Sequence, residues 1–303
     1  MYDMKGGKLE TDRNDYSYIL ITPAKNEEKY IERTIQSVIS QTILPKKWII
    51  VSDGSTDRTD EIVSKYTKKH SWIELMRRPE HEGRQFSAKV YSFNEGYEKT
   101  KNLIYDIIGN LDADISLEKD HFEYLLDKFS KNPNLGVAGT PFVEEVSGAY
   151  DYRFANIEHV SGACQLFRRE CFEEIGGYTP NEIGIDWLAV TTARMKGWQT
   201  RTFTDRKIFH HRRIGTGKSN FFVATFKQGK ADYYFGNHPL WELFRAFYQM
   251  AKKPFICNGL LLFFGYMWAL LIRTKRPLSK ELMKFHQKEQ MQRLKKIVLR
   301  RFF

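Results

Sequence analysis

The chain has 303 residues, of which 42% are hydrophobic and 15% aromatic, and this composition is sufficient to bury a full core. It excludes a disordered or fibrous protein. The three cysteines, Cys164, Cys171 and Cys257, are odd in number and form no C-x-x-C pair, so they indicate neither a disulfide framework nor a zinc ribbon. The polar segment 1–16 has no apolar stretch, which argues against a secretory signal peptide and for a cytoplasmic location.

The net charge of +11 is concentrated near the C-terminus. Residues 273–303 carry 11 Lys and Arg residues against 2 acidic ones, so they contribute +9 and leave +2 for the rest of the chain. A basic segment that follows an apolar run is more typical of attachment to anionic lipid than of a nucleic-acid surface. We therefore expect an anionic membrane surface as a partner, and no nucleic acid.

From Tyr18 the chain alternates short apolar strands with amphipathic helices, which is the pattern of βαβ units. The predicted strands lie at 18–22, 48–52, 73–77 and 103–111, and the predicted helices at 29–41, 57–69 and 85–99. Ser55 or Thr56 is the expected N-cap of the second helix. Four parallel strands are the simplest topology, and such sheets bind ligands outside the carboxyl ends of their strands. Polar clusters fall there, at 23–27, 53–57 and 112–114.

After Asp114 the alternation loosens into an α+β pattern. The predicted elements are a helix at 119–131, strands at 135–139 and 163–167, and a helix at 185–196. From 238 to 250 apolar and aromatic residues recur at helical spacing, and Pro254 introduces the apolar run 255–272.

Two carboxylates separated by one small residue end an apolar strand at Asn110-Leu-Asp112-Ala-Asp114. Hard oxygen ligands at a strand end suit Mg²⁺ or Mn²⁺ completed by phosphate oxygens. A solvated turn is the alternative.

The cluster 52–59 follows another strand, where Asp53 can accept hydrogen bonds from a base or ribose and Gly54 lets the backbone approach a ligand. Here the alternative is a well-capped helix, and the cluster 22–28 leaves the same two interpretations open.

Taken in order, Pro23/Asn26/Glu27, the turn 53–59 and Asp112-Ala-Asp114 resemble the motifs of family 2 glycosyltransferases of the GT-A fold. The resemblance covers residues 17–215. It implies an α/β fold with a mostly parallel central sheet and flanking helices, a UDP- or GDP-sugar donor, and Mn²⁺ or Mg²⁺ as cofactor. The implied nucleotide-binding residues are Pro23, Ala24, Asn26, Glu27, Asp53, Gly54, Arg84, Lys89, Asp112 and Ala113. For Arg84 and Lys89, a solvated helix start is an equally good interpretation.

The resemblance continues at 182–187, where the family has an acidic residue that opens a helix. It implies that Asp186 is the base that takes the proton of the acceptor hydroxyl in an inverting transfer. The family more usually has two adjacent acidic residues, and Ile185 occupies the first position here, so the role depends on one carboxylate. Helix capping is the alternative. Trp187 is the expected acceptor-stacking aromatic residue, and core packing is its alternative.

The segment 209–217 resembles a family loop that supplies a metal-binding histidine and closes over the donor. Histidine completes an oxygen-rich site, and arginine neutralises charge on a departing diphosphate. The resemblance implies His211, in preference to His210, as a metal ligand beside Asp112 and Asp114. The residues assigned to the loop around donor and acceptor are Trp187, His210, Arg212 and Arg213.

The apolar run 255–272 would span about 27 Å as a helix, which is barely a bilayer core. Basic residues flank it on both sides, and a single crossing would export one of these basic sides against the usual cytoplasmic bias. We therefore predict an in-plane or re-entrant helix, with a buried helix or a homodimer contact as the alternative. The tail 280–301 is predicted to be a basic amphipathic helix on the lipid surface.

The leading hypothesis is an inverting glycosyltransferase that acts on a glycan or polyprenyl-linked acceptor, as a peripheral or monotopic protein at the cytoplasmic face of the cell membrane. The predicted organisation is a polar segment 1–16, a catalytic domain 17–235 with halves 17–115 and 116–235, and a helical, membrane-associated region 236–303. A sugar-phosphate nucleotidyltransferase or a non-catalytic membrane-binding module is the alternative. An NAD-dependent oxidoreductase would need a G-x-G-x-x-G turn after the first strand, which is absent from the sequence.

Overall fold

The computed structural model describes residues 16–79, 88–144, 148–149, 156–180, 184–212, 221–252 and 255–302. The chain divides into two compact units, Met1–Arg213 and Ile214–Phe303. The boundary between them differs from the predicted end of the catalytic domain at residue 235. The structure places the helix that ends at Tyr234 in the second unit.

A central sheet organises the first unit. In chain order, its strands are β1 (Tyr18–Ala24), β2 (Lys47–Asp53), β3 (Ile73–Arg78), β4 (Ile107–Leu111), β6 (Leu135–Gly139), β9 (Cys164–Arg168) and β10 (Gln199–Thr202). Their spatial order is β10-β6-β9-β4-β1-β2-β3. β1 to β4 are mutually parallel, β10 is parallel to β6, and β9 is antiparallel to both of its neighbours. The predicted mostly parallel sheet is therefore confirmed.

Both faces of this sheet are covered, which explains the nearly continuous apolar sequence of its strands. The helices of this unit are α1 (Ile31–Ile39), α2 (Thr59–Thr67), α3 (Ala88–Glu98), α4 (His121–Lys131), α5 (Arg169–Glu174) and α6 (Ile185–Met195). On one face Leu20 and Ile50 belong to a core that includes residues of α1 and α4. On the other face Ile19 and Ile49 belong to a core that includes residues of α3, α5 and α6.

A smaller sheet lies beside the polar cluster 112–114, at the carboxyl end of β4. Its strands are β5 (Ile115–Ser116), β7 (Phe142–Glu144), β8 (Gly148–Ala149) and β11 (Ile208–His210), in the spatial order β5-β11-β7-β8. β11 is antiparallel to β5, with His210 opposite Ile115 and Phe209 opposite Ser116. This pairing brings the end of β11 next to the residues that follow β4.

The described part of the second unit consists of helices. They are α7 (Phe221–Tyr234), α8 (Pro239–Met250), α9 (Cys257–Leu271) and α10 (Lys280–Phe302). α9 packs against α7 and α8 at glycines that have no space for a side chain. A Cβ added at Gly265 would lie 2.1 Å from the carbonyl oxygen of Phe226, and one added at Gly259 would lie 2.1 Å from that of Ala246. Close backbone approach therefore requires glycine at both positions.

A polar network is buried inside the second unit. Arg245 Nη1 lies 2.8 Å from Asp232 Oδ1, and Asn237 Nδ2 donates to Glu242 Oε2 over 3.2 Å. Burial is the main cause that raises the pKa of Glu242 to about 7, and the neighbouring Asp232 raises it further. The hydroxyl of Tyr266 donates to the backbone carbonyl of Asn237, so α9 is tied to the turn between α7 and α8.

Two local predictions differ from the structure. The strand predicted at 103–111 begins at Ile107, and α2 is not capped by Ser55 or Thr56. Asp57 Oδ1 instead accepts the backbone N–H of Thr59.

No helix among the described residues has the length and apolarity needed to cross a membrane.

Gly265→Ala should lower the free energy of unfolding by about 2 kcal/mol, because the new methyl group would collide with backbone rather than with a movable side chain. The loss should appear even though alanine favours a helix over glycine by about 1 kcal/mol. Urea unfolding followed by far-UV circular dichroism measures it. Leu271→Ala on the exposed side of α9 is the control and should change stability by less than about 0.5 kcal/mol. Equal stability of the two variants would contradict the close approach of α7 and α9.

Candidate active site

The loops after β1 and β2 are joined by side-chain hydrogen bonds. Asn26, whose φ is 54°, accepts the backbone N–H of Thr56 through Oδ1 over 2.8 Å. The backbone N–H of Glu27 donates to Thr59 Oγ1 over 2.7 Å. Asn26 therefore holds the two loops together. Glu27 is buried beside them and directs its carboxylate to a different partner, Arg212.

Asp57 stabilises the same junction. Its carboxylate accepts the backbone N–H groups of Glu28 and Thr59, at 3.0 and 2.9 Å, and the hydroxyl of Thr59. Partial burial acts to raise the pKa of Asp57, but these hydrogen bonds outweigh burial and lower the pKa from its ordinary value. Asp57 thus accepts the first backbone N–H of α2, although the N-cap residue, Arg58, makes no side-chain capping hydrogen bond.

Asp53, at the end of β2, is buried and forms an ion pair with Arg78 at the end of β3. Arg78 also donates to Glu95 Oε1 over 2.9 Å and to Ser92 Oγ over 3.1 Å, both on α3. Gly54 follows with a φ of 63°, a conformation that glycine adopts without strain. Sequence reasoning missed Arg78, although its place at the carboxyl end of a predicted parallel strand was a usable signal.

Asp112, Asp114 and His210 form a group of potential metal ligands. One ligand atom from each residue lies within 4.8 Å of the others, and Asp114 and His210 are buried. His210 Nε2 lies 3.6 Å from Asp114 Oδ1. The two carboxylates follow β4, whereas the imidazole comes from β11, which the small sheet brings alongside. Carboxylate oxygens suit Mg²⁺ and Mn²⁺, so this donor set fits the divalent cation that the sequence predicts.

The preference for His211 as the metal ligand differs from the structure. Neighbouring residues at a strand end point in opposite directions, and His210 points toward the aspartates. His211 Nε2 lies 3.0 Å from Ser116 Oγ, and its backbone N–H donates to the carbonyl of Asp114. His210 Nδ1 lies 2.5 Å from the carbonyl oxygen of Arg212. A carbonyl only accepts, so Nδ1 carries the proton and the lone pair of Nε2 is available to a metal.

Two basic side chains contact the acidic groups of the site. Lys89 Nζ lies 2.5 Å from Asp112 Oδ1, and Arg212 Nε lies 3.3 Å from Asp114 Oδ2 while its Nη2 pairs with Glu27. Burial raises the pKa of Glu27 to about 7, an effect that Arg212 opposes and Asp114 reinforces. Burial also raises the pKa of Asp112, against the opposing charge of Lys89. The site thus concentrates negative charge in a poorly hydrated place.

Asp186, at the start of α6, is connected to this group through the backbone of Gly162. The N–H of Gly162 donates to Asp186 Oδ2 over 3.1 Å, and its carbonyl accepts Asn110 Nδ2 over 2.5 Å. The same carbonyl lies 3.5 Å from Lys89 Nζ. A Cβ added at Gly162 would lie 3.0 Å from that of Asp186. His159 Nε2 approaches Asp186 Oδ2 to 3.8 Å. Sequence reasoning missed Gly162 and His159.

The other predicted residues have less specific surroundings. Pro23 and Ala24 lie within β1 and pair with Val51 and Ser52 of β2, and the carbonyl of Ala113 accepts the hydroxyl of Thr34. Trp187 is half-buried on α6, and its role stays a prediction. The predicted residues outside the described part of the chain are Arg84 and Arg213.

A family model described as glycosyl transferase family 2 matches residues 19–176, which is just over half of the chain. The chain belongs to this family. The matched segment contains the ends of β1, β2 and β4, with Glu27, Asp53, Asp112 and Asp114. Asp186 and His210 lie beyond the match, and the folded chain brings both to the same edge of the sheet.

Curated relatives of this family 2 chain include polysaccharide synthases. The poly-beta-1,6-N-acetyl-D-glucosamine synthase of Staphylococcus epidermidis is 27% identical over 190 residues, covering 54% of this chain and 43% of the relative. The chondroitin synthase of Pasteurella multocida is 33% identical over 118 residues, covering 39% of this chain and 11% of the relative. The chain thus spans less than half the length of these relatives.

Solved structures show the same fold at low sequence identity. S. aureus TarS 1-349, solved in complex with UDP-GlcNAc, is 14% identical with a TM-score of 0.55, covering 86% of this chain and 76% of TarS 1-349. The mannosyltransferase PcManGT from Pyrobaculum calidifontis, solved in complex with GDP-Man and Mn²⁺, is 15% identical with a TM-score of 0.54. The match covers 91% of this chain and 86% of PcManGT. These likenesses confirm the predicted GT-A type of fold.

We expect Mn²⁺ together with a nucleoside diphosphate to raise the melting temperature, and His210→Ala should abolish that rise because it removes one of the three potential ligands. His211→Ala is the matched control, since it alters the adjacent residue and leaves the three ligands in place. Ligand binding to the folded state raises apparent stability, so differential scanning fluorimetry reads the effect directly. Loss of the Mn²⁺ response in His211→Ala alone would contradict the assignment of His210.

Proposed function

We propose that this family 2 glycosyltransferase moves a sugar from a nucleoside-diphosphate donor to a glycan or polyprenyl-linked acceptor with inversion at the anomeric carbon. The proposal depends mainly on one observation. The group of three potential metal ligands is linked to a separate carboxylate, Asp186, by a short chain of contacts: Asp112 pairs with Lys89, Lys89 lies 3.5 Å from the carbonyl of Gly162, and the N–H of Gly162 donates to Asp186. Such an arrangement provides a site for a diphosphate and, beside it, a base for the attacking hydroxyl.

Asp112, Asp114 and His210 would hold the divalent cation. When bound, the cation supplies positive charge that stabilises the negative charge developing on the diphosphate leaving group. We favour Mn²⁺ over Mg²⁺ because the ligand group contains an imidazole nitrogen, and Mg²⁺ has the stronger preference for oxygen ligands. The Mn²⁺ in the complex of the fold neighbour PcManGT supports this choice.

Lys89 and Arg212 have a second role in this proposal. Each now pairs with carboxylates, Lys89 with Asp112 and Arg212 with Glu27 and Asp114. A cation at the ligand group would compete for those carboxylates, and the two basic side chains would then be available to the phosphate oxygens of the donor. Asp53, oriented by Arg78, would accept hydrogen bonds from the base or ribose.

Asp186 would act as the general base. In the transfer step the acceptor oxygen forms a bond to C1 of the sugar, the bond from C1 to the diphosphate oxygen breaks, and the hydroxyl proton passes to Asp186. The N–H of Gly162 binds Oδ2 of this carboxylate, which fixes its orientation at the start of α6. Donor recognition as UDP- or GDP-sugar is supported by the UDP-GlcNAc and GDP-Man complexes of the fold neighbours.

The alternative functions explain fewer of the observations. A nucleotidyltransferase reaction needs no base for a sugar acceptor and would leave Asp186 without a role, and a non-catalytic membrane-binding module would give no role to the metal-ligand group either. The synthases among the curated relatives favour a polysaccharide as product. A nucleotide-sugar donor is made in the cytoplasm, so we place the reaction at the cytoplasmic face of the membrane.

Asp112→Ala and Asp186→Asn should fail in different ways. Asp112→Ala removes a ligand, so both Mn²⁺-dependent donor binding and donor turnover should be lost. Asp186→Asn keeps the ligand group, so donor binding should persist while turnover falls about 10²- to 10⁴-fold, the usual contribution of a general base. Binding is measured by thermal shift and turnover by nucleoside-diphosphate release from a panel of UDP- and GDP-sugars.

Asp127→Asn, which alters a half-exposed carboxylate on α4 that pairs with Lys131, is the control and should retain both properties. Wild-type turnover in Asp186→Asn would rule out its role as the base. Wild-type donor binding by Asp112→Ala in Mn²⁺ would rule out the ligand group.

A further inference from the structure

Helix α9 is apolar on two opposite sides, and only one of them is buried. The buried side packs within the second unit through Gly259, Leu262, Gly265, Tyr266 and Ala269. The other side, at a spacing of three and four residues, exposes Leu260, Phe264, Trp268 and Leu271. The exposed fractions of Phe264, Trp268 and Leu271 are 56%, 52% and 71%. Packing inside the unit therefore explains only half of the apolar character of this helix.

Helix α8 likewise has one buried side and one exposed apolar side. Its buried positions are Glu242 and Ala246, whereas its exposed apolar residues are Leu240, Leu243, Phe247 and Tyr248. α8 and α9 contact each other closely at Ala246 and Gly259, so both exposed stripes belong to one pair of packed helices. Phe255 and Ile256, just before α9, are also exposed. These exposed residues of α8, α9 and their connection are called the α8–α9 apolar surface.

The charge of the second unit is opposite to that of the first. Residues 214–303 contain 17 Lys and Arg residues and 4 Asp and Glu residues, a net charge of +13, and the remaining 31 basic and 33 acidic residues give the first unit −2. Two of the four acidic residues, Asp232 and Glu242, are buried. Lys252 and Arg273 are exposed near the two ends of α9. The exposed surface is therefore apolar side chains accompanied by positive charge.

We propose that the α8–α9 apolar surface lies in the headgroup region of an anionic membrane, with both helices parallel to the bilayer plane. Apolar side chains flanked by Lys and Arg are the composition of interfacial helices, and each basic residue near an anionic bilayer adds to the attraction. Trp268 and Tyr248 are residue types that favour this depth. An in-plane position also agrees with the length of α9, which has 15 residues.

The proposal keeps the in-plane helix that the sequence predicts at 255–272, now α9, and adds α8 to it. The basic tail 280–301, which the sequence also assigns to the lipid surface, is partly held by protein contacts. Gln290 Oε1 accepts the backbone N–H of His238 over 2.7 Å, Gln287 Nε2 donates to the carbonyl of Gly236 over 2.9 Å, and Leu282 is buried. Protein contacts therefore hold α10 as far as Gln290, whereas Ile297, Val298 and Leu299 near its end are exposed, so the predicted lipid contact of the tail stays a prediction.

Co-sedimentation of the purified full chain with vesicles tests the proposal. Wild-type protein should bind vesicles of phosphatidylcholine and phosphatidylglycerol more strongly than vesicles of phosphatidylcholine alone. The double variant Phe264→Ser/Trp268→Ser should bind the anionic vesicles at least about tenfold more weakly, because two large apolar side chains are lost. Ile104→Ser is the matched control, since it removes an 85% exposed apolar residue from the first unit and should leave vesicle binding unchanged.

Fluorescence gives a second, independent measurement. Vesicles with brominated acyl chains should quench tryptophan emission of the wild type, and Trp268→Phe should lose most of that quenching. Equal quenching in wild type and Trp268→Phe would overturn the proposal, as would wild-type protein that fails to bind anionic vesicles. Donor binding by thermal shift should be the same in all these variants, so a failure here is distinguishable from a failure of the proposed chemistry.

A second copy of the chain is the competing occupant of this surface. Sedimentation equilibrium without lipid distinguishes it, because the proposal expects the double variant and the wild type to have the same oligomeric state. A wild-type dimer that the double variant converts to a monomer, with unchanged vesicle binding, would assign the surface to self-association and overturn the proposal.

Discussion

Repulsion among like charges at one edge of the central sheet is the constraint on which the site depends. The ends of β1 and β4 place Glu27, Asp112 and Asp114 close enough to interact electrostatically, and Asp53 ends the neighbouring strand β2. Burial makes the negative charges of Glu27 and Asp112 more costly. The protein compensates with cations from other elements. Arg78 comes from β3, Lys89 from α3 and Arg212 from the residues after β11. The fold has to bring distant segments to this edge before the acidic groups can coexist.

The same constraint explains why Glu27 and Asp112 are held in an unusual state. Both carboxyl groups have a raised pKa because burial disfavours their charged form more than the adjacent basic groups favour it. Lys89 and Arg212 therefore offset only part of the cost of burying these two carboxylates. A divalent cation would provide more positive charge than either basic side chain.

Local patterns were sufficient to predict most of the first unit. Strands 48–52 and 135–139, the helix near 185–196 and the pair Asp112/Asp114 depend on short-range periodicity and on strand ends, and the structure has them at or within a residue or two of the predicted positions. The pairing of β11 with β5 is a contact between segments far apart in the chain, and it alone decides that His210 points at Asp114 while His211 points at Ser116. A single sequence contains no information about that register.

The second unit shows a different limit of sequence reasoning. An apolar run such as 255–272 is compatible with a membrane helix, a buried helix or a dimer contact, because hydrophobicity alone does not say what covers each side. The structure separates the two sides of α9 through its glycines. On the side of α9 that carries Gly259 and Gly265, the helix packs against the backbone of other helices of the same unit. The apolar residues on the opposite side have no such contact to account for their hydrophobicity.

Gly162 sets the spacing between the two halves of the candidate active site with backbone atoms only. Its N–H holds Asp186, and its carbonyl holds Asn110 and lies near Lys89, so a single α-carbon joins Asp186 to the acidic strand end. Peptide groups are rigid planes, and the separation between these two contacts varies only with the two backbone torsions of that residue. The two attachment points on Gly162 therefore keep a nearly fixed separation, while the side chains of Asp186 and Asn110 complete the two contacts. A residue larger than glycine at this position would have to displace Asp186, since its Cβ would lie 3.0 Å from that of Asp186.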